Sequence, residues 1–421
     1  MVEVVQKRDK KQASTWALIF LCWLVYTCSY VGKLNYTANI TQVETYYSVN
    51  HAEAGLVSTC FFFAYGLGQV VNGIFCKKYN VKWMVFFALL VSSVVNLSVS
   101  FLKAFVWIKY LWVLNGLALS VLWPSLIRLL SETLSRKDMA KASIVMGTTI
   151  AVGTLLIYGL SAWFAVFQGF RLAFVVAAGV SALVALVWIL IVDKRVADVE
   201  AERVEEEPQQ VAREKFCAEK SRSPLLLTIV VLALYGVATN LVKDGLMTWV
   251  PSILKESFRL DDSLSIVFTL VMPMVAVFGN AFAVGIHKKL PDFVLQCALT
   301  FVCVGLILCG VLGGFSWGIL VVSLIGFAVA FFLISSCNSL IVGVFPLFMK
   351  GKANSGLLAG VLDGCCYLGS AISSYGLGVI ADGYGWKLVF WVLLGVLAFA
   401  CVVAGIYAVV KKLIRRNHQG E

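Results

Sequence analysis

Charge is what this 421-residue sequence has least of. Only 14% of its side chains are Asp, Glu, Lys or Arg, while 60% are hydrophobic. Soluble domains carry roughly 25% charged residues, so this chain cannot cover a water-facing surface of its size. That excludes a soluble enzyme, a soluble nucleic-acid binder and a disordered protein. Histidine is nearly absent, with only His51, His287 and His418, and no cysteines stand at metal-ligand spacing, so no zinc site is expected. The 12 cysteines read as small apolar residues, not as a disulfide framework. No Walker loop or nucleophile elbow occurs, and Gly313-Gly314 lacks a phosphate-binding context. No cofactor is expected. Bilayer is the solvent that fits.

What the sequence has in abundance is apolar runs. A helix needs about 20 mostly apolar residues to cross the hydrocarbon core. Twelve such segments are expected, over 15–41, 53–75, 83–102, 104–130, 142–165, 170–192, 224–251, 264–286, 293–313, 316–345, 355–380 and 387–410. Lys7, Arg8, Lys10 and Lys11 precede the first, which lacks a small-residue cleavage site and is expected to remain as a span. Of the 34 lysines and arginines, 26 fall in loops on one side, including Lys77 and Lys78, Arg136 and Lys137, and Lys411 and Lys412. Six fall on the other: Lys103, Lys109, Arg171, Lys255, Arg259 and Lys387. Both termini are therefore expected in the cytoplasm, and the net charge of +11 reads as a basic cytoplasmic face, not a nucleic-acid surface. A plasma membrane is the default, a bacterial inner membrane first, and a monomer is expected.

The chain also reads as duplicated. Residues 193–223 form a mixed-charge polar linker, flexible or weakly helical, that separates a first set of six spans (1–192) from a second (224–421). Gly73-Ile-Phe-Cys-Lys-Lys78 answers Gly285-Ile-His-Lys-Lys289, and Gly169-Phe-Arg-Leu-Ala-Phe174 answers Gly385-Trp-Lys-Leu-Val-Phe390. The offsets are 211 and 216 residues. The fold class expected is an all-α integral membrane protein of twelve transmembrane helices in two pseudo-symmetric six-helix bundles. In repeat-built transporters, binding sites lie between the repeats near the membrane midplane.

The two basic residues not in loops, Lys33 and Lys243, lie 210 apart and so obey nearly the same offset. The bland reading is snorkelling to the headgroups. Against it, the apolar stretch from Trp16 to Val31 is too short to span ~30 Å at 1.5 Å per residue, so the first helix must run on through Lys33. A lysine within a span costs about 2.5–3.5 kcal/mol and should face a wet cavity or a counter-charge. Two such cations facing one cavity would attract a small anion, either a phosphomonoester carrying about −1.5 to −2 or a dicarboxylate. Asp244, about 100° round the helix from Lys243, is expected to point elsewhere. Asp363 is the one acidic residue deep in an apolar stretch, either a structural partner or a coupling and counter-ion group. Tyr26, Tyr30, Tyr65, Gln69 and Tyr367 are polar residues within spans, where interhelical hydrogen bonding is the common role.

Several of these residues sit in a familiar pattern. Tyr30-Val-Gly-Lys33-Leu-Asn35, Lys243-Asp-Gly-Leu-Met-Thr-Trp249-Val-Pro251-Ser-Ile-Leu-Lys-Glu256, Trp123-Pro124, Tyr367-Leu-Gly369 and Ile380-Ala-Asp382 resemble the major facilitator superfamily. Within it, they resemble the organophosphate:inorganic phosphate antiporters, which include the glycerol-3-phosphate and hexose-6-phosphate transporters. The resemblance covers nearly the whole chain. It implies that Lys33 and Lys243 take the places of two phosphate-gripping arginines, and that Tyr26, Tyr30, Tyr65 and Tyr367 line the pocket. Both arginines are lysine here, which keeps charge but loses the bidentate fork. Gln69 and Ile150 stand where some members have a lysine and a histidine, and Asp363 stands where the glycerol-3-phosphate transporters have a small residue.

The expectation is a secondary active transporter, not an enzyme, that moves an organic phosphate or related organic anion in exchange for inorganic phosphate. Lys33 and Lys243 would hold the anion, with Tyr30, Asn35, Tyr65 and Tyr367 supplying hydroxyl or amide contacts and Tyr26 and Gln69 completing the pocket. Two alternatives stay open: a proton-coupled carboxylate symporter using Asp363, and a non-transporting membrane sensor of the same fold.

Overall fold

The computed structural model describes residues 2–75, 79–167, 169–203, 222–349 and 355–417. Most of the polar linker, residues 204–221, and the repeat residues 76–78 lie outside them. Among the described residues, eleven helices are long and apolar enough to cross a membrane, and a bent pair taken as one span makes twelve. Span 1 is Ala13–Ala38, span 2 His51–Asn72, span 3 Val81–Phe101, span 4 Val106–Thr133, span 5 Lys141–Ala165 and span 6 Phe170–Val199. Span 7 is Leu225–Phe258, span 8 the bent pair Asp262–Ala276 and Ala281–His287, span 9 Phe293–Ser316, span 10 Leu320–Val344, span 11 Leu358–Tyr384 and span 12 Trp386–Leu413. Large apolar side chains such as Phe20, Phe101 and Leu190 are exposed on the outer helix faces. Lipid can cover such a surface, and water cannot.

The packing repeats with the sequence. In the first bundle span 1 packs on spans 5 and 6, span 2 on span 4, and span 3 on span 6. In the second, span 7 packs on spans 11 and 12, span 8 on span 10, and span 9 on span 12. Each pair recurs six spans later, which is the pseudo-symmetry expected of the duplicated chain. The bundles meet along two seams, span 2 against span 11 and span 5 against span 8. Glycine permits the first seam: a Cβ on Gly55 would lie 2.0 Å from the Ser374 carbonyl oxygen, and one on Gly378 would lie 2.7 Å from that of His51. Small residues let helix backbones approach this closely.

Spans 7, 8 and 10 of the second bundle carry helix irregularities. Span 7 carries Pro251, which has no N–H to offer the helix. Span 8 bends by 41° between its parts. Span 10 widens into a π-helical stretch, Ser339–Val344, directly after Asn338. Such stretches are frequent at functional sites, and Ser339 and Val342 face the cavity between the bundles.

One end of the seam is latched. His51, at the start of span 2, sits between two carboxylates: Nδ1 is 2.9 Å from Glu44 and Nε2 is 2.9 Å from Glu256 of the other bundle. Only an imidazolium can donate to both. Burial pushes the Glu44 carboxyl above the usual carboxylate range against the pull of His51. The second oxygen of Glu256 accepts a 2.8 Å hydrogen bond from Trp386 Nε1, and the His51 ring packs against Trp249 and Trp386. Asp382 accepts from the backbone N–H groups of His51 (3.0 Å) and Ala52 (2.7 Å), capping span 2 from the opposite bundle. Asp262 accepts from Thr41 (2.6 Å) and pairs with Lys255 (2.9 Å).

Candidate functional site

Between the bundles lies a cavity of about 320 Å³, within the usual range of about 300–1,000 Å³ for small-molecule sites. Span 1 presents Tyr26, Tyr30, Lys33 and Thr37 to it, and span 7 presents Asn240, Lys243, Asp244 and Met247. Each set is spaced by three and four residues, one face of an α-helix. Asp363 and Tyr367 enter from span 11, Asn338 from span 10 and Trp123 from span 4. Apolar side chains, among them Phe62, Met146, Ile150 and Phe331, complete the wall.

Lys33 is only 6% exposed. Its ammonium lies 3.6 Å from the ring centroid of Tyr30, 4.8 Å from that of Tyr65 and 6.0 Å from that of Tyr26. Aromatic faces stabilise a desolvated cation, by about 2 kcal/mol in favourable cases. That is less than a buried charge loses on leaving water. Among the described residues no carboxylate comes within 4.0 Å of Lys33. The second lysine differs. Lys243 Nζ is 3.3 Å from Asp244 Oδ1, and Asp244 Oδ2 accepts from Ser370 at 2.5 Å. Asn240 extends this network, donating to Ser370 (3.3 Å) and accepting from Asn338 Nδ2 (2.7 Å). The expectation that Asp244 points away is thus overturned. Residues 240 and 247 fall between Lys243 and Asp244 around the helix, so a wall about 100° wide holds all four.

The nine residues singled out from the sequence divide clearly. Lys33, Lys243, Tyr26, Tyr30, Tyr367 and Asp363 line one cavity. Tyr65 stands just behind, its ring 4.8 Å from that of Tyr367. Its buried hydroxyl, near Tyr26, Gln69 and Tyr367, makes no hydrogen bond of good geometry. Gln69 is buried one turn further along span 2 and does not reach the cavity wall. Asn35 is fully buried elsewhere: its amide donates to Asn96 Oδ1 (2.6 Å) and its oxygen accepts from the Tyr36 N–H (3.0 Å). Two residues beyond Lys33 means about 200° round the helix, so Asn35 faces span 3. Asp244, Asn240 and Ser370 were missed as site residues. The offset of 210 could have found the first two, because it carries Leu34 onto Asp244 and Tyr30 onto Asn240.

The sequence profile described as Major Facilitator Superfamily matches residues 22–356. The Membrane sensor protein UhpC of Escherichia coli (strain K12) is 24% identical over 169 residues, 40% of this chain. That match spans only 38% of the sensor's own length. The Probable hexose phosphate transport protein of Chlamydia trachomatis is 20% identical over 94% of this chain and 91% of its own. The human Sugar phosphate exchanger 3 is 22% identical over 80% of this chain and 76% of its own. A bacterial homologue of the human lysosomal transporter Spinster, crystallised in an inward-facing and occupied conformation, superposes with a TM-score of 0.75. It is 14% identical and covers 93% of this chain and 96% of its own. The xylose transporter XylE of E. coli, partially occluded and inward open, gives 0.70 at 9% identity, covering 92% and 98%. At these identities the structures speak for the fold alone.

Proposed function

The chain belongs to the major facilitator superfamily, and on that premise we propose that it is a secondary active transporter for an organic phosphate or a related small organic anion. It exchanges this cargo for inorganic phosphate by alternating access, without making or breaking a covalent bond. The observation that carries the reading is the meeting of Lys33 and Lys243, one from each bundle, on a single cavity wall. Lys33 is buried against tyrosine faces with no carboxylate within 4.0 Å among the described residues, so a bound anion supplies a contact counter-charge. The hexose phosphate and sugar phosphate relatives support that anion class. With both termini in the cytoplasm, as the lysine and arginine distribution argues, the latched end faces outward. The described state is then closed to the outside. Anion binding between the bundles favours closure at the other end, and release favours reopening.

Proteoliposomes loaded with inorganic phosphate are expected to exchange it for labelled external phosphate. Lys33→Ala and Lys243→Ala should each lower that exchange at least about tenfold, ~1.4 kcal/mol. Smaller losses in both would remove the anion-binding role from the lysines. The E. coli sensor relative favours a second reading, a receptor that binds the anion and signals without turnover. That reading requires phosphate binding with no exchange across the membrane.

A further inference from the structure

Four charged side chains line the cavity, two of each sign: Lys33, Lys243, Asp244 and Asp363. One pair is already complete. Lys243 rests on Asp244, whose other oxygen is held by Ser370. The remaining two charges, Lys33 and Asp363, attract each other across the cavity without touching. Among the described residues, Lys33 has tyrosine rings around its ammonium and no carboxylate within 4.0 Å of it. Asp363 makes neither a hydrogen bond nor an ion pair among the described residues. The two share one cavity yet stand more than 4.0 Å apart, too far for an ion pair.

A bare phosphate ester satisfies half of this arrangement. Its anion is drawn to Lys33, but the Asp363 carboxylate then faces more negative charge in a site of low dielectric, where like charges repel strongly. Asp363 is half-buried on the cavity wall, and a carboxylate drawn even partly out of water without a contact partner is costly. An ammonium on the same cargo meets it with a charge-assisted hydrogen bond, stronger than any hydroxyl can offer. Resting on the proposed transport of an organic phosphate, we infer that the cargo is zwitterionic, a phosphomonoester bearing a primary amine, with phosphate at Lys33 and amine at Asp363. Asp363 is then the specificity-determining residue of the cavity. A carboxylate there discriminates against amine-free esters by leaving its own charge uncompensated, as selective sites do.

The test compares glucosamine 6-phosphate with glucose 6-phosphate, which differ by one amine in place of one hydroxyl. Dissociation constants come from the concentration dependence of the melting temperature of the purified full-length protein, so turnover is not needed. Glucosamine 6-phosphate is expected to bind at least about tenfold tighter. In Asp363→Asn that ratio should fall to about one, while inorganic phosphate binds a few-fold more tightly because a repelling charge has gone. Equal affinities in the unaltered protein, or a ratio that survives Asp363→Asn, overturn the inference and leave the transport of an organic phosphate standing. Amine-blind binding that weakens with rising pH, and loses that dependence in Asp363→Asn, overturns it in favour of a proton at Asp363. If neither sugar phosphate nor inorganic phosphate shifts the melting temperature, both readings fall together. Because the ratio in the unaltered protein is decisive by itself, a variant that failed to fold would not rescue the proposal.

Discussion

Loosening the latch should unlock one end of the cavity by a calculable amount. Glu256 and Asp382 are the carboxylates whose bonds cross the seam to His51 and Ala52. The Glu256 side chain is 45% exposed, so its charge-assisted bond to His51 contributes about 1 kcal/mol rather than the 1.5–3 kcal/mol of a buried one. Asp382 is exposed and caps the first turn of span 2, where a capping carboxylate contributes about 1 kcal/mol. The double variant Glu256→Ala, Asp382→Ala should therefore shift the closed-to-open equilibrium at this end by about 2 kcal/mol. At 1.4 kcal/mol per factor of ten, that is roughly 30-fold. Hydrogen exchange followed by mass spectrometry reads the change directly, because amides in residues 41–55 and 249–262 exchange on opening. Their exchange should accelerate up to about 30-fold, while peptides from spans 3 and 6 stay unchanged. Lys82→Ala, which breaks the Lys82–Asp193 contact inside the first bundle, serves as the control. Unaltered exchange in the double variant, or equal acceleration in the control, would refute the latch.

Two further outcomes follow from packing and capping. Gly55→Ala drives a methyl group into the Ser374 carbonyl oxygen, which lies 2.0 Å from the added Cβ; backbone cannot yield cheaply, so a loss of about 1–3 kcal/mol is expected as a lowered melting temperature. Gly395→Ala, with open space at its Cβ, should melt as the unaltered protein does. Asp292 caps span 9 through the N–H groups of Val294 and Leu295, both at 3.1 Å, and pairs with Lys411 at 2.7 Å. Burial raises its pKa, but the Lys411 and backbone hydrogen bonds prevail and hold the carboxyl below the usual range. A depressed carboxylate stabilises the fold above its ordinary value near 3.9 and ceases to do so as pH falls through the depressed one. Asp292→Ala should therefore cost about 1 kcal/mol at neutral pH, and its melting curve should converge on that of the unaltered protein in acid.

Hydropathy located all twelve spans to within a few residues at most ends, because the cost of exposing backbone and polar groups to hydrocarbon is large. It missed helix that continues past the lipid: span 6 belongs to a helix running to Arg203, beyond residue 192, where hydropathy says nothing. The bend in span 8 and the π-helical stretch in span 10 were illegible for another reason. They arise from how helices meet, and composition does not record that. Side-chain direction was legible where periodicity was applied. Tyr26, Tyr30 and Lys33 fall on one helical face and reach one cavity, whereas Asn35 fails the same test and packs on Asn96. The state of each lysine was not legible at all. Equivalent places in a repeat predicted equivalent roles, yet Lys243 has a carboxylate at 3.3 Å and Lys33 has only aromatic rings.

That asymmetry bears on selectivity more than the lysines themselves do. An arginine fork fixes the plane and spacing of the oxygens it grips, so it recognises a phosphate by shape. An ammonium is a point charge with three freely rotating donors, and it attracts a carboxylate or a phosphate by charge alone. Two lysines therefore set the sign of the cargo and little else. Discrimination must come from groups that penalise the wrong partner, and the cavity holds one. With Lys243 in contact with Asp244, Asp363 has no cation within 4.0 Å among the described residues and feels Lys243 and Lys33 only through space, so the cargo or a proton is what can meet its charge directly. A site that sets two cations against two anions therefore favours a phosphate that brings a cation of its own over one that does not.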